Sequence, residues 1–161
     1  MVDRVAGPAT VVRHGSLGHA PLPCHPRSIN SLTVRLPQLD AVEHWSLPSH
    51  GAHGMDIDHD NGVLYVACDG GALVEVDVTT SIVGREWPPA GVPDATFYNP
   101  VSALVHVAIG NPGLIQSIDP QEGTLLEFPT ALGAKTTALV PPDHLYVFSP
   151  AHEGILDLVG A

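Results

Sequence analysis

Hydrophobic and polar positions alternate in short bursts from Gly54 to Val83, and each burst ends at residues that turn a chain. Met55 to Asp58 is a brief apolar/polar alternation, followed by Asp58-His59-Asp60-Asn61-Gly62, whose side chains and glycine suit a tight turn. Val63 to Cys68 is a second, nearly all-apolar strand, Asp69-Gly70-Gly71 another turn, and Ala72 to Val78 a third strand rich in β-branched residues. Val83 to Trp87 fits a fourth, ended by Pro88-Pro89, since proline has no N–H to give to a ladder. No stretch keeps a sustained 3.6-residue period, so helix is at most a minor component.

Two weaker copies follow. Pro93 to Tyr98, Leu104 to Ile109, Leu114 to Asp119 and Thr124 to Phe128 repeat the four strands, and Lys135 to Val140, Leu145 to Phe148 and Ile155 to Val159 repeat three of them. Val66 and Val107 are 41 residues apart, as are Asp58 and Asn99, while Val107 and Val147 are 40 apart. Four short strands in every ~40 to 45 residues is the pattern of a propeller blade, a small sheet that buries its faces only against its neighbours. The expected fold is therefore all-β, a partial β-propeller of about three four-stranded antiparallel blades with a ~41-residue repeat. A β-sandwich of similar strands is the competing arrangement.

The expected organisation is an irregular or disordered leader over residues 1–28 and a partial propeller over 29–161. The latter divides into a half-blade at 31–48, blades at 53–89 and 93–129, and an incomplete blade at 134–161. The leader holds Pro8, Pro21, Pro23 and Pro26, and it lacks the continuous apolar run of a secretory signal. Closed propellers use about four to eight blades. Either the chain is the C-terminal part of a longer ancestral propeller, or self-association of two copies completes one ring.

Charge narrows the partners. Residues 1–40 carry four arginines against Asp3 and Asp40, whereas residues 41–161 carry fifteen acids against Arg85 and Lys135 alone. The formal net charge of −11 repels phosphate backbones and anionic lipid, so neither nucleic acid nor membrane is an expected partner, and a small molecule or protein is. No apolar run approaches the ~20 residues that span a bilayer. Cys24 and Cys68 lack the paired spacing of a metal or redox motif; Cys68 reads as a buried small hydrophobe.

At Leu64-Tyr65-Val66-Ala67 and Leu145-Tyr146-Val147-Phe148, with an aspartate ending the next strand in Val76-Asp77 and Ile118-Asp119, the repeat resembles the YVTN-type β-propellers of the YncE-like family. The run from Phe128-Pro129-Thr130 to Ala151-His152 looks like the closing blade of such proteins, which implies a natural C-terminus. The resemblance covers about residues 31–161 in three partial units. It implies a ring of about seven blades, in a family frequent among bacterial extracytoplasmic proteins whose ligands are poorly defined. This chain differs in having fewer blades and no export signal.

In a propeller the residues just before the innermost strand of each blade converge on one mouth of the central channel. Here they are His53, Asp94 and Lys135, spaced 41 and 41, which together would orient a polar ligand, with Asp94 able to pair with Lys135 or with His53. A second cluster holds His50, His53, Asp56, Asp58, His59 and Asp60. From it His50, His53 and Asp56 are the candidate metal ligands, and a divalent cation the one cofactor such donors suit. Turn formation explains Asp58 to Gly62 better than ligation does. His106 in a strand and His144 in a turn are expected to be packed or exposed.

Gly-x-Ser-x-Gly is absent and no glycine-rich phosphate loop precedes a helix. Whether the chain is an enzyme stays open. The leading expectation is a non-catalytic propeller-type binding or scaffold module; the alternative is a metal-assisted lactonase-like hydrolase acting at the channel mouth.

Overall fold

The computed structural model describes residues 10–11, 31–36, 41–123 and 125–160. The first sheet orders β1 (Thr10–Val11), β2 (Ser31–Leu36) and β3 (Ala41–Ser46). The second runs β4 (Ala52–Asp58), β5 (Val63–Cys68), β6 (Ala72–Asp77) and β7 (Val83–Trp87). The third repeats it as β8 (Pro93–Asn99), β9 (Leu104–Ile109), β10 (Leu114–Ile118) and β11 (Leu125–Pro129). The last holds β12 (Thr137–Val140), β13 (His144–Ser149) and β14 (Gly154–Val159), with a single 3-10 turn at Pro150–His152. Every neighbouring pair is antiparallel.

The expected all-β partial propeller is what the chain forms, an unclosed arc of sheets with β4 lying against β8 and β8 against β12. The first sheet gains Thr10–Val11 as a strand beside β2, paired Thr10 with Arg35 and Val11 with Val34. The remainder of the expected 1–28 leader lies outside the described residues. His144 opens β13 instead of sitting in a turn, because its backbone pairs with both Val140 and Val159. Among the described residues no helix is long and apolar enough to cross a membrane.

The second and third sheets are apolar on both faces because each is sandwiched between neighbours. Leu32 and Trp45 of the first sheet pack on Leu64, Val66, Cys68, Val74 and Val76 of the second. Tyr65, Leu73 and Trp87, on the opposite face of the second, meet Val105, Val107, Ile109 and Ile118 of the third. Ala108 and Ile115 then meet Leu145 and Val147 of the last. This explains why β5 and β9 read as continuous apolar runs while the outer strands do not: both sides of β5 and β9 are covered, and covering apolar surface is worth about 25 cal/mol per Å².

The aspartates that end strands are local devices. Asp58 Oδ1 accepts N–H bonds from Asp60 and Asn61, Asp77 Oδ1 from Thr79 and Thr80, and Asp119 Oδ1 from Gln121 and Glu122. Each carboxylate folds its own turn by standing in for a backbone acceptor. Hydrogen bonds from Thr80 and Thr79 hold the Asp77 carboxyl below the usual carboxylate range.

Candidate functional site

Two backbone irregularities build the rim. In the β4–β5 ladder, Ala52 pairs with Cys68 and Gly54 with Ala67, which leaves His53 as an extra residue in a bulge. In the β8–β9 ladder the register slips in the same way between Pro93 and Thr96, a stretch that contains Asp94. A bulge re-aims the side chain it carries and often borders a site. One blade further on, Lys135 lies in the loop before β12, shaped by hydrogen bonds from Gly133 N to Gly110 O and from Ala134 N to Ala131 O.

The three residues expected at the channel mouth do come together. Lys135 Nζ stands 3.1 Å from Asp94 Oδ2, and His53 Nε2 3.8 Å from Asp94 Oδ1. A fourth member, Asp69, places Oδ1 3.2 Å from His53 Nδ1. The same nitrogen lies 3.1 Å from the Gly51 carbonyl oxygen. Two acceptors at Nδ1 favour a proton there, and Nε2 can donate toward the acceptor-only Asp94 carboxylate only in a ring that carries both protons.

In the sequence Asp69 reads only as part of a turn. It reaches His53 because the β5–β6 turn docks on the preceding loop through Asp69 N to Gly51 O and Gly70 N to His50 O, both 3.0 Å. Gly51 can take part because its φ of +72° is open to glycine.

The set His50, His53 and Asp56 is not assembled. Asp56 Oδ1 accepts from Ile57 N and its Oδ2 from Tyr98 N at 2.8 Å, so the carboxylate is spent tying β4 to β8, while His53 turns to Asp69 and Asp94. Successive strand positions face opposite sides, which separates the Asp56 and His53 side chains. Among the described residues no group of three or more His, Cys, Asp or Glu side chains is placed to hold a metal ion.

Asp56 instead borders an open depression of about 350 Å³ at the far end of β4, with Asp58, His59, Asp60, Tyr98 and Pro100. Burial, with the Asp58 carboxylate accepting its hydrogen bond, pushes the Tyr98 hydroxyl up to about 12. His59 and Asp60 are exposed turn residues there. His106 is packed, with Nδ1 2.7 Å from Ser117 Oγ, and Cys68 is fully buried, its thiol pushed up to about 11 by burial.

Chemically the rim offers an ammonium, an imidazole and two carboxylates. All are partly exposed, from 32% at Asp94 to 59% at Lys135, so their mutual attraction adds little to stability. They remain free to exchange one another for a ligand's charges and hydrogen-bonding groups.

Solved structures share this architecture. A catalytically inactive virginiamycin B lyase from Staphylococcus aureus, solved with quinupristin, matches with a TM-score of 0.68 at 13% identity over 82% of this chain and 47% of that one. A streptogramin B lyase matches at 0.60 and 12% identity, over 81% and 48%. Kuenenia stuttgartiensis hydrazine synthase matches at 0.54 and 16% identity, over 66% and 35%. The fold is that of a β-propeller. The chain spans a third to a half of the length of these proteins, and identities this low carry the fold alone. No protein-family model matches the chain, and no curated protein matches it in sequence.

Proposed function

We propose that this chain is a non-catalytic propeller-type binding module whose rim, formed by His53, Asp94 and Lys135 with Asp69 behind them, recognises a small polar ligand. The observation that carries the reading is the bridging position of Asp94. One carboxylate, lifted by a strand bulge, is shared between a cation and an imidazole that come from the blades on either side. The modest ion-pair energies of these partly exposed groups cost little to give up on binding.

The YncE-like, YVTN-type reading belongs to the same proposal. It is supported by the strands around Tyr65 and Tyr146 and by the blade period, and it implies that the variable rim, not the repeat, sets what is bound.

The test is a thermal-shift and calorimetric screen with small amines, carboxylates and amino acids as probes, run on the wild-type chain and on Asp94→Asn and Lys135→Met. A probe that raises the melting temperature of the wild type and of neither variant supports the reading. Probes that bind all three proteins equally, or none, overturn it.

A further inference from the structure

We infer that the ligand of the rim is a primary ammonium carrying an apolar arm, its charge held by Asp69 and Asp94 and its arm laid on Val92, Pro112 and Leu132. The inference rests on the rim reading above and adds the chemical class of what is bound. The β9–β10 turn, residues 110–113, stands at the same end of the blades as the rim, and the loops entering the third and last sheets are both fastened to it. Gly91 lies so close to the Asn111 carbonyl that a β-carbon there would collide with it, and Ala90 N donates to the Gln116 side chain at 2.9 Å. On the other side of the turn, Thr130 N donates to Gly113 O at 2.9 Å and Gly133 N to Gly110 O at 2.7 Å.

Held in this way, each loop turns one large apolar side chain to solvent. Val92 is 55% exposed although Pro93 beside it is buried, and Leu132 is 67% exposed although Ala131 and Ala134 on either side pack into the core. Pro112, exposed at the tip of the turn, lies between the two points of attachment. Isolated exposed apolar residues are ordinary on a protein surface, but these three, carried by one turn and the two loops bound to it, make a single ridge. All belong to the end of the blades, not to the face of any sheet. The ridge adjoins the rim: Val92 is two residues from Asp94, and Lys135 lays its stem across Gly110, where a β-carbon would stand 3.4 Å from Lys135 Cβ.

Charge selects the other half of the ligand. Asp69, Glu86, Asp94 and Glu153 lie at this end of the blades against Lys135. Arg85, the other Arg or Lys of residues 41–161, is spent on the Pro120 and Gln121 carbonyls at the opposite end. Lys135 is itself paired with Asp94, and a neutral His53 gives its one proton toward the Asp69 and Gly51 oxygens. The rim therefore presents more acceptors than donors. An ammonium brings three N–H donors and no acceptor, which answers that imbalance, whereas a carboxylate meets mostly like charge. An anionic end also raises the local concentration of cations before they bind.

The experiment is calorimetric titration with three probes: leucinamide, glycinamide, which keeps the ammonium and lacks the arm, and 4-methylpentanoate, which keeps the arm and carries a carboxylate instead. The wild-type chain is expected to bind leucinamide about tenfold more tightly than glycinamide, as burying part of a leucine side chain gives, and to show no heat with 4-methylpentanoate. In the double variant Val92→Ser, Leu132→Ser, the ratio between the two amines is expected to fall to about one, with a melting curve like that of the wild type because both side chains are exposed. Asp94→Asn is expected to lose both amines. Equal binding of the two amines by the wild type, preference for 4-methylpentanoate, or an unchanged ratio in the double variant overturns the inference, and the rim reading survives it if the bound probe is lost in Asp94→Asn. Leucinamide bound equally by wild type and Asp94→Asn overturns the rim reading and the inference with it, as does the absence of binding by all three probes.

Discussion

Gly54 and Asp94 approach so closely that a β-carbon placed on Gly54 would stand 1.7 Å from the Asp94 carbonyl oxygen. The contact joins the innermost strands of two neighbouring blades, immediately beside the bulges that carry His53 and Asp94. Only a residue without a side chain lets the two backbones meet there.

Gly54→Ala is therefore expected to force β4 and β8 apart. The cost is about 2–4 kcal/mol, in the range of overpacked sites where the obstructing atom is backbone and cannot rotate away. A urea titration read by circular dichroism checks it. An unchanged midpoint would show that the strands slide freely, contrary to the packing described.

Removing rim charge should barely change stability. Asp94→Asn breaks the contact with Lys135 and weakens that with His53, yet both pairs are partly solvated, so the stability change should stay below about 1 kcal/mol. The same substitution should abolish the response to any rim-binding probe. A large loss of stability would mark Asp94 as structural.

His106 makes stability depend on pH. Burial lowers its pKa from the ordinary 6.5 to about 4. The unfolded chain takes up this proton as pH falls through 6.5, while the folded chain resists until about 4. Stability from this residue is thus complete above pH 6.5 and declines steadily down to pH 4, by on the order of 3 kcal/mol in all. His144 works with the opposite sign: its hydrogen bond to Asp157 raises its pKa, so its contribution is present at low pH and fades as pH rises. Comparing urea midpoints of wild type and His106→Gln at pH 7 and pH 5 isolates the first effect, and the variant should lose less on acidification.

The Asn99 side chain reaches from β8 to the last sheet, donating from Nδ2 to the Pro142 carbonyl at 2.7 Å, and it is fully buried. Asn99→Ala leaves that carbonyl without its partner and should cost about 1–3 kcal/mol, mostly by loosening the last sheet. Hydrogen exchange resolved along the chain should show the loss of protection concentrated in β12–β14. Uniform loss would mean that the sheets unfold as one unit.

Much of this architecture was legible in the residues. Strand runs, turn residues and the spacing of Val66, Val107 and Val147 express local chemistry: alternation, proline and glycine geometry, and aspartates that cap their own turns. The same spacing brought His53, Asp94 and Lys135 to one rim, because a repeat places equivalent residues at equivalent points of each blade. Asp69, the bulges at His53 and Asp94, and the diversion of Asp56 to the Tyr98 backbone were beyond its reach. None leaves a periodic trace, since each arises where a turn or strand of one segment is pressed against another. The sequence by itself determined the blades, through hydrogen bonding and side-chain alternation within about forty residues. The tertiary structure alone decided which polar groups face one another, because that depends on how closely separate sheets can pack.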